Sequence, residues 1–291
     1  MTTRLDASAL SRHPLPRLPE NGDKEDRGAV LVVGGEAVMA GAAILAGVAA
    51  LRAGAGKLQI RTDRASAAAV AVAVPEARIV IAPAMSASPL VRQAVKASAL
   101  VLGPGMDTGK SRRRLASRLL ESTPSIPAVI DAGAMPVWNE AAAFAARADG
   151  RIVMTPHAGE MAAILNRDKD DIRADPLGAA REAAAMFRSV VVMKGATTFV
   201  VSPDGMAWRH DGGVAGLGTS GSGDVLAGTI GGILARGAPP AVAALWGVVL
   251  HAEAGSELAA TGAPLGFLAR ELPGRLPFVL DRLCPASDAP S

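Results

Sequence analysis

Apolar residues crowd this chain in two rhythms. Short continuous runs close on glycine or an acid, and between them lie longer stretches whose apolar positions return every three or four residues. "AVLVVGG" reads as a buried strand ending in a turn, and Met39 to Arg52 as an Ala-rich helix. "GKLQIRT" is a second strand, residues 65–73 are helical, and "ARIVIA" is strand-like. Pro89 to Lys96 is a short helix, "ALVLGPG" a strand, and residues 109–121 a basic amphipathic helix. "PAVIDAG" is a strand ending in an acid. "RIVMTPHAGE" passes from a strand through a Pro-His turn into a helix that ends near Asn166, and residues 175–188 are helical. The rhythm then changes. "SVVVMKG", "TTFVVSPDG" and "MAWRH" are consecutive strands, the last two joined by a hairpin turn at Pro203, Asp204 and Gly205. Helices over 221–236, 239–260 and 267–282 complete the chain.

Strands alternating with helices predict an α/β fold: a mostly parallel sheet covered on both faces. The late antiparallel strands belong at one side of it. No linker or repeat divides the chain, so one domain is expected over 28–283. Residues 1–27 form a polar, Pro-rich loose lead-in that can lie over the body, and 284–291 a frayed tail.

Composition narrows the function. Half of the 291 residues are hydrophobic, enough for a substantial core. The formal charge is only +3 and no basic stripe is present; with no Tyr and few aromatics, stacking on nucleic-acid bases is not expected. Cys284 is the only cysteine, which excludes an intrachain disulfide and a Cys-based zinc cage. The N-terminus has no apolar signal region and the longest apolar runs are too short for a membrane span, so a cytoplasmic protein is expected.

In open α/β sheets, ligands gather beyond the carboxyl ends of the strands. The turns "GGEAVMAGA", "GPG", "DAG", "TPHAGE", "KGATT" and "GTSGSGD" fall in such places. In the last, Gly218, Gly221 and Gly223 clear side chains from the backbone just before a helix. The unpaired N–H groups and positive end of that helix suit a phosphate. Asp224 would repel that anion, but makes sense as an acceptor for the proton of a hydroxyl attacking phosphorus. The alternative is a helix cap in a packing turn.

The match of "GLGTSG" to G-x-G-x-x-G lacks the preceding strand and the later acid of a dinucleotide fingerprint, and there is no P-loop. Lys194, Thr197 and Thr198 can reach a phosphate, or can form a solvent-facing turn. His157 can meet a ligand or cap the helix beginning with Glu160 in its first turn. No second His or Cys stands near it, so no transition-metal site is expected. Asp131 at a strand tip can hold Mg²⁺ through water, or simply form a turn.

Taken in order, "VLVVGGEAVMAGAAILAGVAALRAGAGKLQI", "LVLGPGMDTG", "VIDAGAM", "MTPHAGEMAAIL", "VVMKGATTFVVSPDG" and "GTSGSGDVLAGTIGGILARG" resemble the ADP-dependent NAD(P)H-hydrate dehydratases, repair enzymes of the ribokinase-like superfamily. The resemblance runs from about Lys24 to about Gly255. It implies a three-layer αβα sandwich. It also implies a reaction: the hydroxyl of a hydrated NADH or NADPH (NADHX or NADPHX) is phosphorylated by ADP, and phosphate then leaves, with AMP released. Mg²⁺ is implied with the nucleotide, and no metal-ligating residue is assigned.

By resemblance, Asp224 is the base and touches the hydrate, with Ala42, Gly105 and His157 as further substrate contacts. Lys194, Gly195, Ala196, Thr197 and Thr198 match the nucleotide-phosphate strip. Gly221, Ser222 and Gly223 complete the nucleotide side beside the base. The chain departs from its relatives at Val214 and Ala215 (Asn-Pro in relatives), at Ser220 (Gly) and at Gly133 (a second acid). The epimerase domain fused in some relatives is not expected here, so action on the S epimer with a separately encoded epimerase as partner is implied, as is a homo-oligomer, a tetramer. Two other readings share the anion hole: a kinase of a small alcohol, and a nucleotide sensor that has lost catalysis.

Overall fold

Val30 and Val32 point to one face of the sheet, Leu31 and Val33 to the other, and all four are fully buried. A strand with no solvent face has no polar positions to alternate, which is why it reads as a continuous apolar run. The computed structural model describes residues 1–17, 19, 21–36, 38–82 and 87–284. Its strands are β1 (Thr3–Arg4), β2 (Ala29–Val33), β3 (Lys57–Thr62), β4 (Ala77–Ile81), β5 (Ala99–Leu102), β6 (Ala128–Ile130), β7 (Ile152–Met154), β8 (Val190–Met193), β9 (Thr198–Val201) and β10 (Ala207–His210). Its helices are α1 (Ala7–Ser11), α2 (Ala40–Arg52), α3 (Ala67–Ala73), α4 (Ala87–Ala94), α5 (Lys110–Ser122), α6 (Ala141–Ala148), α7 (Ala158–Leu165), α8 (Lys169–Ala174), α9 (Pro176–Phe187), α10 (Ser222–Ala235), α11 (Pro240–Thr261) and α12 (Leu272–Leu283).

All the strands join one sheet of order β1-β10-β9-β8-β7-β6-β5-β2-β3-β4. β2 to β8 are parallel, and β9 is antiparallel to both its neighbours. Helices α1 to α3 and α10 to α12 bury their apolar faces on one side, α4 to α9 on the other. This is the three-layer ribokinase-like sandwich implied by the resemblance, with its antiparallel strands at one edge.

The start of the chain is not loose. β1 pairs in parallel with β10, and Leu5, Ala9 and Leu10 are buried against the core. The indole N–H of Trp246 donates to the His13 carbonyl at 2.7 Å. Helices α6 and α8 also lie where no helix was expected. The expected tail lies outside the described residues, apart from Cys284.

Helices α2 and α10 interlock through missing side chains. A Cβ on Gly228 would overlap the carbonyl oxygen of Ala46, and one on Gly232 that of Ala50. The glycines that weaken α10 as an isolated helix are what let it lie backbone to backbone on α2. Gly228→Ala is therefore expected to cost about 1–3 kcal/mol through overpacking, read as a lowered midpoint of thermal unfolding.

Candidate active site

The parallel strands finish on one edge of the sheet, and backbone bonds carry the pairing past their ends. Gly103 N–H donates to the Val33 carbonyl at 3.0 Å, and Asp131 N–H to that of Leu102 at 2.9 Å. Thr155 N–H donates to Ile130 at 3.2 Å, and Lys194 N–H to Pro156 at 2.8 Å. His157 forms an isolated parallel bridge with Lys194, so Asp131, the Thr155–His157 turn and Lys194, from three distant segments, stand in a row.

Their side chains converge with Asp224. The Asp131 carboxylate, on a residue only 3% exposed, accepts from the Thr155 hydroxyl at 2.7 Å and from Lys194 Nζ at 3.2 Å. Glu160 Oε2 lies 3.7 Å from the same ammonium. Asp224, in the first turn of α10, completes a set of three carboxylates around one cation. Burial pulls the Lys194 ammonium down, but Asp131, Glu160 and Asp224 outweigh it and hold it above its ordinary range. For Asp224, burial, then the charge of Asp131, push the carboxyl up to about 7; Lys194 opposes them and Glu160 adds to them. A carboxyl that titrates there can take a proton at neutral pH.

The turn that carries Asp224 is an open anion hole. Gly221 caps α10 with φ at 89°, a left-handed conformation suited to glycine. Among the described residues, the N–H groups of Gly223 and Asp224 have no hydrogen-bond partner. A Cβ on Gly223 would stand 3.3 Å from Lys194 Nζ, so the ammonium lies directly against this turn.

Ala42 and Gly105 also meet. Gly105 has φ at 67°, and a Cβ there would come 2.7 Å from that of Ala42. His157 both caps and faces outward. Its Nδ1 accepts from the N–H groups of Gly159 and Glu160 at 3.0 and 3.1 Å, which leaves Nε2–H as a donor on a side chain 59% exposed. The strip after Lys194 turns toward β10: the Thr197 hydroxyl donates to Asp211 at 3.0 Å, while that of Thr198 reaches the Gly195 carbonyl at 3.5 Å. Ala196 O stands 3.6 Å from where a Cβ on Gly213 would be.

Ser222 turns its hydroxyl away from the cleft and onto His251 Nε2 at 2.9 Å. At Gly133, where the resemblance leads one to expect an acid, any Cβ would overlap the carbonyl oxygen of Asp107; with this backbone only glycine fits. The approach loop, despite Val214 and Ala215, is pinned by apolar contacts: the Phe267 ring covers Gly216, and Leu217 packs on Gly255.

For Mg²⁺, the donor set is informative. Among the described residues no group of three or more His, Cys, Asp or Glu could hold a metal, and Asp131 is committed to an ammonium. These residues do not fit a magnesium cage. Magnesium is commonly held by substrate phosphates and one or two carboxylates.

Comparison with known proteins agrees with this geometry. The family model described as NAD(P)H-hydrate dehydratase matches residues 30–277. The ADP-dependent (S)-NAD(P)H-hydrate dehydratase of Xanthomonas campestris is 47% identical over 95% of this chain and 96% of its own length. A bifunctional NAD(P)H-hydrate repair enzyme of Moorella thermoacetica is 35% identical over 96% of this chain, which spans 54% of that longer protein. Among solved structures, the ADP/ATP-dependent NAD(P)H-hydrate dehydratase of Bacillus subtilis, co-crystallised with ATP and Mg²⁺, superposes with a TM-score of 0.83 at 27% identity, covering 97% of this chain and 99% of that one. The sequence, the fold and the acid at the mouth of the anion hole lead to one assignment: the chain belongs to the NAD(P)H-hydrate dehydratase family.

Proposed function

We propose that this enzyme restores NADH and NADPH from their (6S) hydrates at the expense of ADP. The observation that carries the reading is Asp224, a carboxyl titrating near neutrality beside two unpaired N–H groups and the Lys194 ammonium. The N–H groups and ammonium would hold the transferring phosphoryl group, and Asp224 would take the proton of the attacking hydroxyl. The hydroxyl oxygen bonds to the terminal phosphorus of ADP as the bond to AMP breaks. The lone pair of the ring nitrogen then expels phosphate, a far better leaving group than hydroxide. Loss of a proton from the neighbouring carbon restores the double bond. The balance is hydrate plus ADP giving NAD(P)H, AMP and phosphate.

In this reading Ala42, Gly105 and the Nε2–H of His157 line the hydrate side. Lys194 to Thr198 and Gly221 to Gly223 line the nucleotide side, with Mg²⁺ arriving on the nucleotide. An epimerase encoded separately would supply the S epimer from the R epimer. The setting would be cytoplasmic; no helix among the described residues is long and apolar enough to cross a membrane. A homo-oligomer, a tetramer by resemblance, completes the proposal.

The test follows absorbance in the reduced-nicotinamide band with hydrated NADH, Mg²⁺ and either ADP or ATP. A rise with ADP, matched by AMP, supports the reading. A rise with ATP alone overturns the donor. No rise, despite nucleotide binding, transfers weight to a small-alcohol kinase or a sensor. A pH series gives a second check. Asp224 must be ionised to accept the proton, so kcat/KM is expected to fall about tenfold per unit below a pH near 7 and to level off above it.

A further inference from the structure

The helix that carries Asp224 begins without a side-chain cap. Gly221 occupies the capping position and has nothing to offer the first turn. Most helices gain about 1 kcal/mol there from Ser, Thr, Asp or Asn. A glycine cap leaves the phosphate hole clear, but it also leaves the turn without that tether.

A tether arrives from the other side. His251, in the middle of α11, is buried beneath α10. Its Nε2 lies 2.9 Å from Ser222 Oγ and 3.0 Å from the Ser222 carbonyl oxygen. A carbonyl can only accept, so Nε2 carries the proton and donates. The ring is therefore neutral or charged with that proton in place, and burial, opposed by the Ser222 carbonyl and aided by Lys194, holds it neutral by lowering its pKa to about 4. Ser222 is held at three atoms: its N–H donates to the Thr219 carbonyl at 3.3 Å, and its carbonyl and hydroxyl oxygens accept from the imidazole. Only 4% exposed, it offers its hydroxyl to no ligand in the cleft. The next two residues are Gly223 and Asp224, whose N–H groups have no hydrogen-bond partner among the described residues, and the carboxyl of Asp224 is the base.

We propose that His251 is a positioning residue: through Ser222 it sets the height and rotation of the first turn of α10, and with them the aim of Asp224 and of the two free N–H groups. The proposal rests on the reading of Asp224 as the base. It deepens that reading by naming a residue, 27 positions away on another helix, that touches neither substrate.

The test compares His251→Leu, His251→Gln and the control Leu250→Val, also buried on the same helix and making no side-chain hydrogen bond to α10. Amide hydrogen exchange at Ser222 and Val225, whose N–H groups donate to the carbonyls of Thr219 and Gly221, reports the turn itself, whatever the reaction; kcat with hydrated NADH and ADP reports the chemistry. For His251→Leu, exchange is expected to quicken and kcat to fall, each about tenfold or more, because the buried acceptors of Ser222 lose their donor. Gln places an amide N–H near the same point and is expected to recover both to within a few-fold of wild type. The proposal is overturned if His251→Leu exchanges no faster than Leu250→Val at matched melting temperature. It is equally overturned if exchange quickens while kcat holds. Failure of the wild-type protein to use ADP would instead sink the functional reading, and the exchange measurement would still decide the role of His251 in the turn.

Discussion

Asp224→Asn is expected to lower turnover by about 100-fold or more, the usual cost of losing a general base, while leaving ADP bound as tightly or more tightly. Affinity holds because the amide removes a negative charge from a phosphate hole whose donors, the N–H groups of 223 and 224 and the Lys194 ammonium, remain. The same variant is expected to melt higher. Asp224 has its carboxyl raised from an ordinary 3.8 to about 7 in the folded protein. A raised pKa means stability that is fully present below the unfolded value and is lost as pH rises to the folded one. Asn does not titrate, so the two proteins should match near pH 4 and diverge up to about pH 7, with a constant gap above it. The linkage limit of that gap is at most about 4 kcal/mol. Turnover, calorimetric ADP binding and melting temperature across pH test the three parts separately. Retention of wild-type turnover would dismiss Asp224 as the base, and identical melting at pH 8 would dismiss its raised pKa.

Lys194→Met is expected to be worse for the protein than for any single contact. Its ammonium is the cation shared by Asp131, Glu160 and Asp224, and Asp131 is almost fully buried. Removing one partner of a buried pair leaves an uncompensated charge, at a cost of roughly 3–5 kcal/mol. Met keeps the length of the stem, so lost packing contributes little. Lys194 opposes the rise of the Asp224 carboxyl, so without the ammonium that carboxyl is pushed up further. The part of the deficit that comes from Asp224 should therefore be full at pH 8 and shrink as the solution is acidified and Asp224 takes its proton. Weaker ADP binding by about tenfold or more is expected alongside, since a charge-assisted donor is lost from the hole. Equal melting of variant and wild type at pH 8 would show that the ammonium is not the counter-ion of this cluster.

Much of the fold was legible because it is written locally. Continuous apolar runs such as "AVLVV" and "SVVVM" can be little else than strands buried on both faces, and the glycines of α10 did not hide its helical spacing. The N-terminal segment was not legible. β1 has two residues and α1 five, and both exist because Leu5, Ala9 and Leu10 find a core made by distant elements. The site shows the same division. Asp224, Lys194 and His157 sit in turns whose composition announces them. The sequence allows Asp131 as a metal ligand or a turn former, and the structure gives it a third role, as the partner of Lys194, 63 residues away. Thr155 and His251 left no signal, because a sequence does not say toward which neighbour a buried side chain points. His157 shows that alternatives can coexist: one ring nitrogen caps the helix, and the other is left for a ligand.

The glycine contacts between α2 and α10 bear on motion as well as stability. With Gly228 and Gly232 seated on the carbonyls of Ala46 and Ala50, neither helix can slide or roll without carrying the other. Ala42 begins one of them and Asp224 the other, so two walls of the cleft form a single rigid jaw. Any opening and closing around the reactants during a catalytic cycle is then left to segments outside this helix pair, moving against a fixed anvil.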